Sequence, residues 1–142
     1  MKSEEIISKL PYSKPFLFVD EIIEINENRV VGSYTFDENS DFYKGHFKDK
    51  PITPGVLLIE VMAQIGLVCL GIFLSNDNFN KNTSIALTST DIEFINSVFP
   101  NEKVFVISEK IYFRFGKLKC KVLMKNEQGI EVCKGTIAGM II

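Results

Sequence analysis

Apolar residues recur along this chain with three distinct spacings, and each spacing predicts a different element. Residues 3–9 carry Ile6 and Ile7 among Glu4, Glu5 and Lys9, the pattern of a short amphipathic helix that Pro11 closes. Phe16-Leu17-Phe18-Val19 opens a predicted first strand over residues 16–25, Asn26-Glu27-Asn28 reads as a turn, and residues 30–36 form a second β-branched and aromatic strand. A polar loop, residues 37–40, then delivers Asp41-Phe42-Tyr43-Lys44-Gly45-His46, so the histidine is expected in a loop or a short helical turn. Thr53 is the expected N-cap and Pro54 the first helical residue of a run, residues 55–74, that contains no further proline. That helix is apolar on almost every face, so other parts of the chain must surround it. From residue 84 the period shortens to two. Leu118, Cys120, Val122 and Met124 alternate with Lys117, Lys119 and Lys121, and turns are expected at Gly116 and at residues 126–129 before a last strand over 130–142.

The order is helix, two strands, one long buried helix, then about four long antiparallel strands. This is an α+β arrangement in a single domain over residues 1–142, with a curved antiparallel sheet wrapped around the central helix. Such a sheet leaves edge strands and an uncovered helix face that a second subunit would close, so at least a dimer is expected.

Composition narrows the function classes. The formal net charge of -2 gives no basic excess for a phosphate backbone, which argues against a nucleic-acid partner. Cys69, Cys120 and Cys133 are odd in number, far apart and without metal-ligand spacing, as expected of reduced thiols in a cytoplasmic protein. The N-terminal segment lacks an apolar signal core. The run after Gly55 has the length of a membrane span, but Glu60 near its start and the missing basic flank favour a helix buried in protein.

The chemistry concentrates in residues 46–64. Glu60 and Gln64 lie one turn apart on one helix face. A carboxyl between Ile59 and Val61 would have its ionised form disfavoured and could donate a proton near neutrality. Gly55 has no side chain to obstruct the first-turn amides, whose unpaired N–H groups favour developing negative charge. His46, the only histidine, is the natural proton acceptor. Base, acid and oxyanion donor together suit removal of a proton beside a carbonyl with loss or gain of water one carbon further on, and call for no metal or cofactor. Either residue alone could equally be structural: a lone histidine is commonly a hydrogen-bonded packing residue, and a buried Glu/Gln pair can simply satisfy backbone groups.

Several motifs together carry a family resemblance. Asp41-Phe42-Tyr43-Lys44-Gly45-His46-Phe47, Pro51-Ile52-Thr53-Pro54-Gly55-Val56-Leu57, Glu60 and Ala63-Gln64, preceded by Leu10-Pro11 and Pro15-Phe16-Leu17-Phe18-Val19-Asp20, resemble the signature of FabZ-type 3-hydroxyacyl-acyl-carrier-protein dehydratases, which have the hotdog fold. The resemblance implies dehydration of a 3-hydroxyacyl thioester on acyl carrier protein, in fatty-acid or related polyene or polyketide synthesis. It implies His46 and Glu60 as catalytic groups contributed by different subunits, the Gly55 amide polarising the thioester carbonyl, the Ile52 carbonyl orienting the imidazole, and Gln64 holding the carboxylate. It also implies a homodimer or a trimer of dimers. Glutamate at position 60, where sister FabA-type enzymes carry aspartate, implies dehydration without isomerisation. Leu57, Val61 and Phe94 are candidates for lining an acyl tunnel, or for ordinary core.

Departures from the pattern are Tyr12-Ser13 for His-Arg, Lys48-Asp49 for Pro-Gly, and Thr53 for methionine. The segment Asp91-Ile92-Glu93-Phe94-Ile95-Asn96-Ser97 is acidic where the family often carries a basic cluster, although carrier docking relies on positive charge. Lys44, Lys48 and Lys50 are candidate replacements, and a dedicated carrier protein would be another answer. Two other classes fit the same sequence: a hotdog thioesterase, distinguished by release of free thiol, and a non-catalytic acyl-binding subunit, excluded if the homodimer turns over substrate unaided.

Overall fold

In the computed structural model, α1 (Ser3–Ser8) leads into β1 (Glu21–Asn26) and β2 (Arg29–Thr35). A central helix follows, and then β3 (Ile85–Phe94), β4 (Lys103–Arg114), β5 (Lys117–Asn126) and β6 (Glu131–Ile141). All six strands form one antiparallel sheet in the order β1-β2-β4-β5-β6-β3. β4, β5 and β6 form a meander, whereas β3 crosses to the far edge. The period-two residues explain the curvature: Val104, Val106 and Ser108 on β4 and Leu118, Cys120, Val122 and Met124 on β5 are buried towards the helix, with the lysines of β5 on the other face. This is the hotdog arrangement, a helix held inside a rolled sheet.

The central helix, Gly55–Asn78, is long and apolar enough to cross a membrane by composition, yet 72% of its most apolar window is buried inside the protein. It is not uniform. An α segment, α2 (Gly55–Ala63), passes into a π turn over Gln64–Cys69 and returns to α3 (Leu70–Ser75). The Ser108 hydroxyl donates to the Gly66 carbonyl within the π turn at 3.0 Å. A Cβ on Gly66 would lie 3.0 Å from the Ser108 Cβ and Oγ, so only glycine lets the helix come this close to β4.

Two sequence expectations need correction. Residues 16–19 are not strand; β1 begins at Glu21, because the backbone groups of Phe16 and Phe18 are hydrogen-bonded to a helix side chain rather than to a neighbouring strand. Thr53 does not cap the helix. The residue before Gly55 is the extended Pro54, and the Thr53 hydroxyl is bonded to the Tyr43 hydroxyl instead. The hairpin at Gly116 is as expected, a two-residue turn with φ +52° at Phe115 and +74° at Gly116, the mirror-image geometry that matches strand twist.

Candidate active site

His46 stands on a loop that the chain closes tightly. After a 3-10 turn over Asp41–Lys44, the His46 N–H bonds to the Phe42 carbonyl at 3.1 Å. The Ile52 N–H donates to the His46 carbonyl at 2.8 Å, and His46 Nδ1 lies 2.9 Å from the Ile52 carbonyl oxygen. A carbonyl can only accept, so Nδ1 carries the hydrogen and Nε2 is left with a lone pair. The imidazole stacks on Phe47, 4.2 Å between centroids and 24° between planes. The pairing of Ile52 with His46 is the one expected from sequence.

Gly55 opens α2. The first closed turn runs from the Leu57 N–H to the Pro54 carbonyl, so the Gly55 and Val56 N–H groups have no partner. A Cβ on Gly55 would lie 3.1 Å from the Phe94 ring, which places Phe94, half of it exposed, over the helix start. Leu57 is half-buried and packs against the core. Val61 has no exposed surface and belongs to the core of this chain, one of the two roles open to it.

Glu60 and Gln64 form the second half of the site. Gln64 Nε2 donates to Glu60 Oε2 at 3.0 Å and to the Phe16 carbonyl at 3.0 Å, while its Oε1 accepts the Phe18 N–H at 2.8 Å. The amide is fully buried and is pinned from both ends, so it fixes one carboxylate oxygen and leaves the other free. Burial pushes the Glu60 carboxyl above its ordinary value, and the bond from Gln64 offsets part of that rise. Tyr12, also half-buried, has its hydroxyl pushed up to about 12 by burial and then by the negative charge of Glu60; it stays a neutral O–H beside the carboxyl. No hydrogen bond or ion pair joins His46 to Glu60 within one chain.

The Phe16 and Phe18 backbone groups are partners of Gln64 that local patterning does not reveal, although a buried amide requires partners for its oxygen and both hydrogens. Lys44 pairs with Asp41 at 3.2 Å on the surface, and Lys48 and Lys50 are exposed. A denser cationic group lies elsewhere. Arg114 faces Lys117 across the β4–β5 hairpin and Tyr112 faces Lys119 beside them, with the Arg114 guanidinium 4.4 Å from the Tyr112 ring centroid. None of these three cations has a carboxylate partner, and Phe115 at the tip is 96% exposed.

A profile of the FabA-like domain matches residues 10–138. The chain is 34% identical over 141 residues to the 3-hydroxyacyl-[acyl-carrier-protein] dehydratase FabZ of Clostridium perfringens (strain SM101 / Type A), covering 96% of each. In fold it is similar to the dehydratase heterocomplex ApeI:P from Xenorhabdus doucetiae, with a TM-score of 0.78 at 13% identity over 95% of this chain and 89% of the other. It is also similar to a mutant form of thioesterase PA1618 from Pseudomonas aeruginosa, with a TM-score of 0.68 at 10% identity, covering 100% and 94%.

Proposed function

The chain belongs to the FabA-like family as a FabZ-type 3-hydroxyacyl-[acyl-carrier-protein] dehydratase, a hydro-lyase of fatty-acid synthesis, and from that premise we propose how its own residues remove water. His46 Nε2 takes the C2 proton of the 3-hydroxyacyl thioester. The carbonyl oxygen gathers negative charge against the unpaired Gly55 and Val56 N–H groups. The C3–O bond breaks as Glu60 donates its proton to the departing hydroxyl, giving the 2-enoyl thioester and water. Return of the proton from the imidazolium to the carboxylate, through solvent, resets both groups. The observation that carries this reading is the His46–Ile52 hydrogen bond, because it fixes the tautomer with a basic nitrogen free to act.

His46 and Glu60 meet, in this proposal, across a homodimer. Phe47, Val56, Leu87, Phe94, Ile95 and Phe99 are large apolar residues left exposed around the helix start and the open edge of β3, more than a single chain ordinarily leaves near a polar site. Pairing two β3 edges antiparallel about a two-fold would cover them and extend the sheet.

Such a seam would also bring a cationic face near the partner's site. With the two β3 strands paired about their midpoints, Ile85 of one subunit would lie opposite Phe94 of the other, and β5, at whose start the hairpin lies, is two strands inward from that seam. Lys117 and Lys119 on β5 would then be about 14 Å, three strand spacings, from the partner's β3 beside its helix start, and Arg114 on β4 about 19 Å, four spacings. An acidic carrier protein docked there could extend its thioester arm into the partner's site, with Asp91 and Glu93 leaving the hairpin as the cationic part of the face. Cytoplasmic location fits three unpaired thiols.

The test is formation of 2-enoyl thioester from 3-hydroxyacyl carrier protein. His46→Ala and Glu60→Gln should each abolish turnover by about a thousandfold or more. Undiminished rates in both would overturn the assignment, and stoichiometric release of free thiol would point to hydrolysis instead.

A further inference from the structure

The loop that carries His46 is a small ladder with three rungs. Phe47 and Lys50 exchange backbone hydrogen bonds at 3.0 and 3.1 Å at its tip, and His46 and Ile52 are joined twice in the middle. At its base, the Tyr43 and Thr53 hydroxyls lie 2.5 Å apart. The tip residues are exposed, whereas Tyr43 and Thr53 are each only 5% exposed. Water competes with the tip rung and is excluded from the base rung, so the base is where a hydrogen bond constrains the loop most. Thr53 is itself tied down by its N–H, which donates to the Val98 carbonyl at 2.8 Å. Tyr43 is therefore fastened, through Thr53, to the segment between β3 and β4.

Neither hydroxyl has another partner. If one is removed, the other is a buried polar group with nothing to bond to, and its simplest relief is to open the base of the loop towards solvent. The Ile52 carbonyl, one residue from Thr53, would move with it, and with that carbonyl goes the direction of the imidazole. The unpartnered hydroxyl thus acts on the base nitrogen through two covalent neighbours and one hydrogen bond.

We propose that Tyr43 and Thr53 are a positioning pair for His46, a buried hydroxyl–hydroxyl latch that holds the Ile52 carbonyl where it aims Nε2 at the substrate. The inference rests on His46 being the base. Neither residue touches substrate, and the latch leaves binding of the acyl carrier substrate to other surfaces.

The test uses Tyr43→Phe, Thr53→Val, the double variant and Thr53→Ser in the full chain, assayed for 2-enoyl thioester formation. In parallel, nitrogen-15 imidazole spectra report on the protein's only histidine, whose signals need no assignment. Each single variant should lower kcat about tenfold with KM within about twofold, since an ångström of misplacement can cost more than this. The double variant should be no slower than the slower single, because both remove one interaction. Thr53→Ser should restore most of kcat. The spectrum, dominated by the Nδ1–H tautomer in the parent, should show tautomer mixing in the singles, and no more of it in the double, which leaves neither hydroxyl unpartnered. Wild-type kcat in both singles, multiplied losses in the double, or an unchanged imidazole spectrum would each overturn the latch. Tyr43→Phe removes one oxygen and keeps the buried ring, so it decides the matter if Thr53→Val does not fold. Should His46→Ala retain turnover, the functional reading fails, and the spectra still report separately on whether the latch orients the ring.

Discussion

Replacing Gln64 by leucine removes a buried amide of similar volume together with its three hydrogen bonds, to Glu60, the Phe16 carbonyl and the Phe18 N–H. Phe18 is buried, so its N–H loses its only partner in a place water does not reach, at a cost of about 1–3 kcal/mol. The Phe16 carbonyl sits beside an exposed side chain and can rehydrate, which adds about 1 kcal/mol at most. A total of about 1–4 kcal/mol should lower the urea midpoint by about 0.5–2 M with little change in slope. The variant should also leave a mark on activity that a purely structural residue would not. Gln64 holds the Glu60 carboxyl down against the upward push of burial, so its removal lets that carboxyl rise further. A general acid works only while protonated, so the limb on which kcat/KM falls with rising pH should move to higher pH, while kcat drops about tenfold from lost positioning. Urea titration by circular dichroism and a pH profile, both at a protein concentration that keeps the assembly constant, make the check. A midpoint within about 0.3 M of the parent together with an unmoved limb would refute the reasoning.

Other outcomes follow from single features of the fold. Folding raises the Glu60 carboxyl, so its contribution to stability is complete below the unfolded carboxylate range and is lost as pH rises through the folded value. Glu60→Gln should therefore melt increasingly above the parent as pH goes from acid to neutral, a modest difference because the carboxyl keeps some solvent. Phe115 holds a left-handed φ of +52° and is almost wholly exposed, so Phe115→Asn should raise stability by about 1 kcal/mol in denaturant titrations. With the proposed docking face, the same change should raise KM for carrier-bound substrate but not for a small thioester. Gly135 has φ +154°, and a Cβ there would lie 1.8 Å from the Asp91 carbonyl oxygen on β3. Gly135→Ala should cost about 3 kcal/mol by thermal melting, since backbone must move against backbone.

The fold was legible wherever one face of an element alternates with another. The β5 lysines and their buried neighbours specify a half-wet strand with no outside information, and the unbroken apolar run after Gly55 requires a wrapper. Gly55, Glu60 and Gln64 stood out because the Pro54 boundary and helical spacing locate them in one short segment with the only histidine, His46, whereas Ile52 as a partner of the imidazole came only from the family resemblance. What stayed hidden depends on distant partners. Residues 16–19 have the composition of a strand, and only the Gln64 amide, 46 to 48 positions away, shows why they are not one. Thr53 has the chemistry of a cap, but Tyr43 claims its hydroxyl. The π turn has no periodic signature at all. It follows from the fit of Gly66 against Ser108, two residues that nothing in the local sequence relates.

The course of β3 across the sheet has a kinetic side. β4, β5 and β6 can zip together through short hairpins, but β3 must wait for β6, its only neighbour within the chain, whose residues lie about forty to fifty-five positions later. A strand secured late is thus also one whose second edge is open. Any subunit joining along that edge would capture a late-forming part of the molecule, and refolding yield would then rise with protein concentration.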